Sequence, residues 1–121
     1  MTPTTPQGGS LIIHKRVWDS KREAWKPATP AHGWRFAVTN EKGVVVANPT
    51  DLDNTKLEGS PSYVVTEVVP AGFELYDIVV STSGGATCPD SPVGGNRSAT
   101  ITSVDLRNGS VHVCAYNRES A

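Results

Sequence analysis

From Tyr63 onward the side chains alternate without a break: Tyr63, Val65, Glu67 and Val69 fall on one face, Val64, Thr66 and Val68 on the other. Pro70-Ala71-Gly72 then stops the run. A period of two in β-branched residues suits a pleated strand and would scatter an apolar stripe around a helix. The same preference runs through the chain. Val, Thr and Ile number 31 of 121 residues, against 6 for Leu plus Met, so half-buried pleated surfaces are favoured over helices. Nine Pro and eleven Gly fall mostly between the Val/Thr-rich runs as turn punctuation. An all-β domain follows, and the length suits only one.

Residues 1–10 are Thr/Pro/Gly/Ser-rich and read as a linker, residues 11–118 as the domain, and 119–121 as a tail. In the first strand Leu11, Ile13, Lys15 and Val17 share a face opposite Ile12, His14, Arg16 and Trp18. The stretch from Asp19 to Gly33 reads as a long connection carrying Trp25. Trp34, Phe36 and Val38 are the inward set of the next strand, and Asn40-Glu41-Lys42-Gly43 turns it into Val44, Val45 and Val46 as a hairpin. Asn48 to Ser62 is assigned as loop, Phe73 to Ser81 as strand, and Ser83 to Asn96 as a Gly/Pro-rich loop. Between Ser98 and Leu106 the Thr100, Thr102, Val104 and Leu106 face is the better inward candidate. Asn108-Gly109 signals a hairpin into Val111 to Asn117, with Val111, Val113, Ala115 and Asn117 opposite His112, Cys114 and Tyr116. About seven strands with turns between them suggest a Greek-key β-sandwich of immunoglobulin-like or related type.

Charge excludes several functions. Eleven Lys plus Arg against twelve Asp plus Glu give a net charge of -1, and the basic residues do not cluster, which argues against nucleic-acid or anionic-membrane binding. No apolar run approaches the roughly 18 residues of a membrane span, and the first ten residues lack the charged start and apolar stretch of a signal peptide. Cys88 and Cys114 have no spacing suited to zinc and are compatible with one disulfide, which would imply an oxidising compartment.

Three polar residues interrupt three apolar faces: Lys15, Glu67 and Asn117. Burying any of them alone is costly. Together they form either a hydrogen-bonded polar triad or reactive machinery. In the second case desolvation favours the neutral amine of Lys15 over its ammonium, which makes it nucleophilic. Glu67 shuttles a proton, the Asn117 carboxamide is the electrophile, and an isopeptide bond forms with loss of ammonia.

These residues resemble the Cna protein B-type and SpaA-type domains of Gram-positive surface proteins and pilins. Leu11-Ile12-Ile13-His14-Lys15 is similar to the family's first strand with its reactive lysine. Tyr63 to Phe73 is similar to its Tyr-x-x-x-Glu-x-x-Pro-x-Gly-aromatic signature with the catalytic glutamate, and Val113-Cys114-Ala115-Tyr116-Asn117 to its last strand with the acceptor asparagine. The resemblance implies a transthyretin-like (prealbumin-like) sandwich and a Lys15–Asn117 crosslink made in one self-modifying turnover, so no enzyme acting on an external substrate and no cofactor. It also implies an exported, cell-surface or cell-wall location, with neighbouring domains of the same surface protein as partners of a monomer. The cysteine pair looks like the actinobacterial branch, and in an export-type fold Cys88 is expected to pair with Cys114. The long connection after Asp19 and the polar loop after Asp51 depart from the family pattern.

The remaining candidates carry less. His14, His32 and His112 are scattered and read as solvent-facing positions, not metal ligands. Asp51-Leu52-Asp53-Asn54 lacks the spaced glycine and distal glutamate of a calcium loop. Asn96-Arg97-Ser98 and Asn108-Gly109-Ser110 match the glycosylation sequon but should be bare in a bacterial protein. Trp18 and Trp25 either cover a sheet edge or offer a binding platform. The leading expectation is thus a crosslinked structural module of an adhesin or pilin, and the alternative a ligand-binding head using its long loops.

Overall fold

The computed structural model describes residues 9–27, 34–50, 54–58, 62–81, 88, 92–102 and 110–119. Among these the chain is all β: β1 (Gly9–Asp19), β2 (Ala24–Pro27), β3 (Arg35–Asn40), β4 (Val45–Ala47), β5 (Asn54–Leu57), β6 (Ser62–Val68), β7 (Phe73–Ser81), β8 (Ser98–Thr102) and β9 (Ser110–Glu119). They form a sandwich. One sheet runs β2-β1-β9-β7 with β5 also on β1, and the other runs β4-β3-β6-β8. The inward faces meet in one core: Leu11, Ile13, Leu75, Ile78, Val111, Val113 and Ala115 from the first sheet, Phe36, Val38, Tyr63, Val65, Ala99 and Ile101 from the second.

The first and last strands are parallel neighbours, with Lys15 opposite Ala115 and Val17 opposite Asn117. Antiparallel β7 flanks β9 on its other side, so the last strand is held on both edges. The outer edge of β1 is shared by β5, along Gly9 to Ile12, and β2, along Arg16 to Asp19. A long strand edge is thereby paired instead of being left as a template for aggregation.

Five sequence expectations change. Asn48 to Ser62 is not all loop, because β5 lies within it and buries Leu57 in the core; one short polar strand gave too weak a pattern to read. The long connection after Asp19 folds back at once as β2, pairing Trp18 with Trp25. The inward face of β8 is Ala99 and Ile101, not Thr100 and Thr102, since pairing with β6 sets Ala99 opposite Val65 and Ile101 opposite Tyr63 on the core side. β8 and β9 lie in different sheets and do not pair as a hairpin. Val69 lies beyond the end of β6 and is exposed, so it does not extend that strand's core face. The linker up to residue 8, His32, residues 51–53, the Val104/Leu106 half of the predicted strand, the Asn108-Gly109 turn and the tail from residue 120 lie outside the described residues.

The β3–β4 hairpin is present and its turn has a clear cause. The Asn40 side-chain oxygen accepts from the N–H groups of Lys42 (2.9 Å) and Val44 (3.0 Å), while Gly43 takes φ of 80°, a left-handed conformation that glycine adopts without a Cβ penalty. Val44, just before the edge strand, and Val45 and Val46 on it stay exposed.

Candidate functional site

Lys15 sits mid-strand on β1, and the period of two that buries Leu11 and Ile13 carries it inward too. Parallel pairing then puts Asn117 one rung further along the same face of the neighbouring strand. Glu67 comes from the facing sheet, opposite Phe36 on β3. The three meet inside the sandwich. Lys15 Nζ donates to Glu67 Oε1 at 2.8 Å, and Asn117 Nδ2 donates to Glu67 Oε2. Neither the lysine nor the glutamate side chain has any solvent exposure, and Asn117 is fully buried. Glu67 therefore bridges both partners, one oxygen to each.

The surroundings are aromatic. Lys15 Nζ lies 4.8 Å from the centroid of the Trp34 ring, itself 2% exposed and edge-on to Phe73 with centroids 5.0 Å apart. The ring face offers a cation the attraction that water would otherwise supply. One atom is left over: Asn117 Oδ1 is buried without a hydrogen-bond partner among the described residues. A buried acceptor in that state costs about 1–3 kcal/mol. A desolvated amine and a carboxamide on one carboxylate can exchange protons with no water entering.

On the opposite face of the same sheet a second, smaller core forms. Cys88 and Cys114 are joined by a disulfide and packed with Tyr116, Trp25, Tyr76 and Val79. Trp25 touches Trp18, Tyr76 and Tyr116, each with ring centroids 5.2 Å apart, so the tryptophan pair roofs this core. A bulge in β7 makes the space: register shifts between Leu75 and Asp77, which turns Tyr76 out to the roof. Asp77, 1% exposed, accepts from the backbone N–H of Ile78 and Gly94, both at 3.0 Å, of Asn96 at 3.3 Å, and from Asn96 Nδ2 at 2.8 Å. Gly94 passes so close to Tyr76 that a Cβ there would lie 2.8 Å from its ring.

Sequence reasoning placed Lys15, Glu67 and Asn117 on apolar faces, and the structure brings all three together. It missed Trp34 as the amine's neighbour, the Asp77 hub, and the burial of Tyr116 behind the core sheet. His14 and His112, expected as separate solvent-facing positions, are half-buried, and His14 Nε2 lies 2.8 Å from His112 Nδ1. Among the described residues no group of three or more His, Cys, Asp or Glu is gathered for a metal.

No protein-family model matches the chain, and no curated protein matches it either. Among solved structures it is similar to a bacterial adhesin from Mobiluncus mulieris containing intramolecular disulfide, isopeptide and ester bond cross-links. In one crystal form the identity is 28% over 96% of this chain and 43% of the adhesin chain, with a TM-score of 0.52. In a second form it is 27% over 93% and 42%, with a TM-score of 0.50. The chain thus spans about two-fifths of the adhesin chains it resembles, and the likeness is to an adhesin-type domain.

Proposed function

We propose that this chain is a structural module of a bacterial cell-surface adhesin or pilin, of the Cna protein B-type, tied by an autocatalytic isopeptide bond between Lys15 and Asn117. The observation that carries the reading is the Glu67 bridge: one solvent-excluded carboxylate holds the amine and the carboxamide at once. The Mobiluncus adhesin, which contains both disulfide and isopeptide cross-links, supports it.

The chemistry balances within the triad. The neutral Lys15 amine adds to Cγ of Asn117, the carbonyl electron pair moves to Oδ1, and an Nζ proton passes to Glu67. Once Glu67 has taken that proton, turning the Asn117 group about Cβ–Cγ sets Oδ1 against the protonated Glu67 oxygen, which stabilises the oxyanion of the tetrahedral intermediate. The intermediate collapses by breaking Cγ–Nδ2, the leaving nitrogen takes the proton from Glu67, and ammonia departs. Each molecule reacts once, on itself. No cofactor or outside substrate enters, and the partners are adjacent domains of the same surface protein.

Mechanics follow from strand order. β1 and β9 are adjacent and parallel, so force on the two chain ends pulls them in opposite directions and loads their ladder in shear. A Lys15–Asn117 bond would route that force from one strand to the other, bypassing everything between. Single-molecule stretching of the oxidised protein tests this. The crosslinked chain should lengthen by only a few tens of Å, while Lys15→Ala should release on the order of 300 Å at about 3.5 Å per residue. Full release from the wild type would refute the function, whatever the triad's geometry.

A further inference from the structure

Asn117, the electrophile of the proposed crosslink, lies where backbone pairing holds β9 weakly. Its rung with Val17 is the last between β9 and β1. On the other side its rung with Leu75 borders the β7 bulge, where the register shifts before Asp77 meets Tyr116. Arg118 and Glu119 follow, both exposed, and the strand ends. A strand end with few rungs opens readily unless side chains pack it down. Here they do. Val113 to Asn117 are all buried, because β9 is covered on both faces: Val113 and Ala115 lie in the sandwich core, Cys114 and Tyr116 under the aromatic roof. Tyr116, the neighbour of Asn117, has its ring centroid 5.2 Å from that of Trp25, which is equally close to the bulged Tyr76. The segment between β7 and β8 closes this roof twice, through the bond from Cys88 to Cys114 and through the Gly95 N–H, which donates to the Tyr76 carbonyl at 2.9 Å.

Resting on the crosslink reading above, we propose that the Cys88–Cys114 disulfide, acting through the packed Tyr116 ring, positions Asn117 for attack, so that disulfide closure precedes isopeptide closure and accelerates it. The two thiols are oxidised by exchange with an external disulfide, whose two sulfurs take up the electrons and protons and leave as thiols. With Cys88 tied to β9, the roof clamps Tyr116 and fixes the strand end, which keeps Cγ of Asn117 within reach of the Lys15 amine. With free thiols the strand end opens, and attack waits for the aligned conformer to return. The nucleophile and the proton shuttle stand on β1 and β6, so the disulfide acts on the electrophile's strand alone.

The test starts from chain unfolded in urea and reductant and confirmed at its full mass. It is refolded in oxidised and reduced glutathione, or in reductant alone, beside Cys88→Ala/Cys114→Ala. Ammonia loss is timed by intact mass, against the folded fraction from circular dichroism. Per folded molecule, the reduced wild type and the variant should crosslink about 100-fold more slowly than the oxidised protein, the scale of loss for a misplacement of about 1 Å, and reach the same product given that longer time. Oxidised glutathione added to the reduced, folded wild type should restore the fast rate and leave the variant slow, a response that added global stability does not produce. Sucrose, which favours the compact state, is present in every arm; if the reduced forms stay unfolded even so, the disulfide serves the fold at large and the positioning role is overturned. It is overturned equally if reduced, folded protein crosslinks within a few-fold of the oxidised rate, or if the oxidant restores nothing. Ammonia loss in no arm, the oxidised wild type included, would instead refute the crosslink on which this inference rests.

Discussion

Replacing Glu67 by Leu, alone and together with Lys15→Met, isolates the energetics of the buried amine. Both variants lack the proton shuttle or the nucleophile, so both lose the covalent closure of roughly 100 residues, worth about 4.7 kcal/mol in the chain-entropy model. Both also remove the acceptor of Asn117 Nδ2 and fill the Glu67 site with the same side chain. They differ only at position 15. In the single variant the Lys15 amine, 2% exposed, keeps its place without the carboxylate that stood 2.8 Å away. Removing one partner of a buried pair costs about 3–5 kcal/mol. The Trp34 face at 4.8 Å offsets up to about 2 kcal/mol of that. The double variant, with an apolar side chain of similar length, should therefore be more stable by about 1–3 kcal/mol, despite carrying one more substitution. Urea unfolding followed by tryptophan fluorescence measures the gap, provided the two slopes agree. A double variant no more stable than the single would show that the buried amine needs no acceptor at this site, and the account of Glu67 as its required partner would fail.

Removing the disulfide as Cys88→Ala/Cys114→Ala opens a closure between residues 26 apart, which should cost about 3.5 kcal/mol and lower the melting temperature by about 14 °C; calorimetry showing a fall of only a degree or two would contradict this. Asp77→Ala should cost about 2–4 kcal/mol by stranding several N–H donors, and Asp77→Asn less, with amide exchange at Gly94 and Asn96 rising in both; unchanged exchange would remove Asp77 as the anchor of that loop. At the β1–β2 turn the Asp19 carboxyl is held below its ordinary value of 3.8 by the Lys26 ammonium and the N–H groups of Arg22 and Lys21. A depressed carboxyl pKa contributes stability above the unfolded value and loses it as pH falls through the folded one. Carboxyl-carbon resonances should therefore titrate Asp19 below 3.8 and move upward in Lys26→Met, and a wild-type midpoint at or above 3.8 would refute the arrangement.

What could be read from the sequence followed from strict alternation. On β1, β6 and β9 a period of two assigns each residue a face unambiguously, so polar Lys15, Glu67 and Asn117 stood out as inward-facing anomalies. Where alternation was ambiguous the reading failed. Ala99 and Ile101 carry less apolar surface than the alternative face appeared to offer, and pairing with Tyr63 and Val65 decided the matter. β5 is held by its ladder with β1 and by one buried leucine, a tertiary cause with no local signature. The roof over Tyr116 depends on a bulge at Tyr76 and on a disulfide linking distant positions. The bulge could not be found without knowing that β7 pairs with β9, nor the meeting of His14 with His112, 98 residues apart, without knowing that the first and last strands run parallel side by side.

The account rests on one covalent bond, and mass spectrometry of folded, aged, fully reduced protein addresses it most directly. The intact mass should be about 17 Da below the sequence value, one ammonia lost, and Lys15→Ala, Glu67→Gln and Asn117→Ala should each keep their full mass. Fragmentation of a digest should place the branch between the peptides holding Lys15 and Asn117, which separates the crosslink from ammonia lost by succinimide formation at Asn108-Gly109. A full wild-type mass, or a loss mapped to Asn108, would reduce the triad to a buried polar cluster and contradict the proposed crosslink.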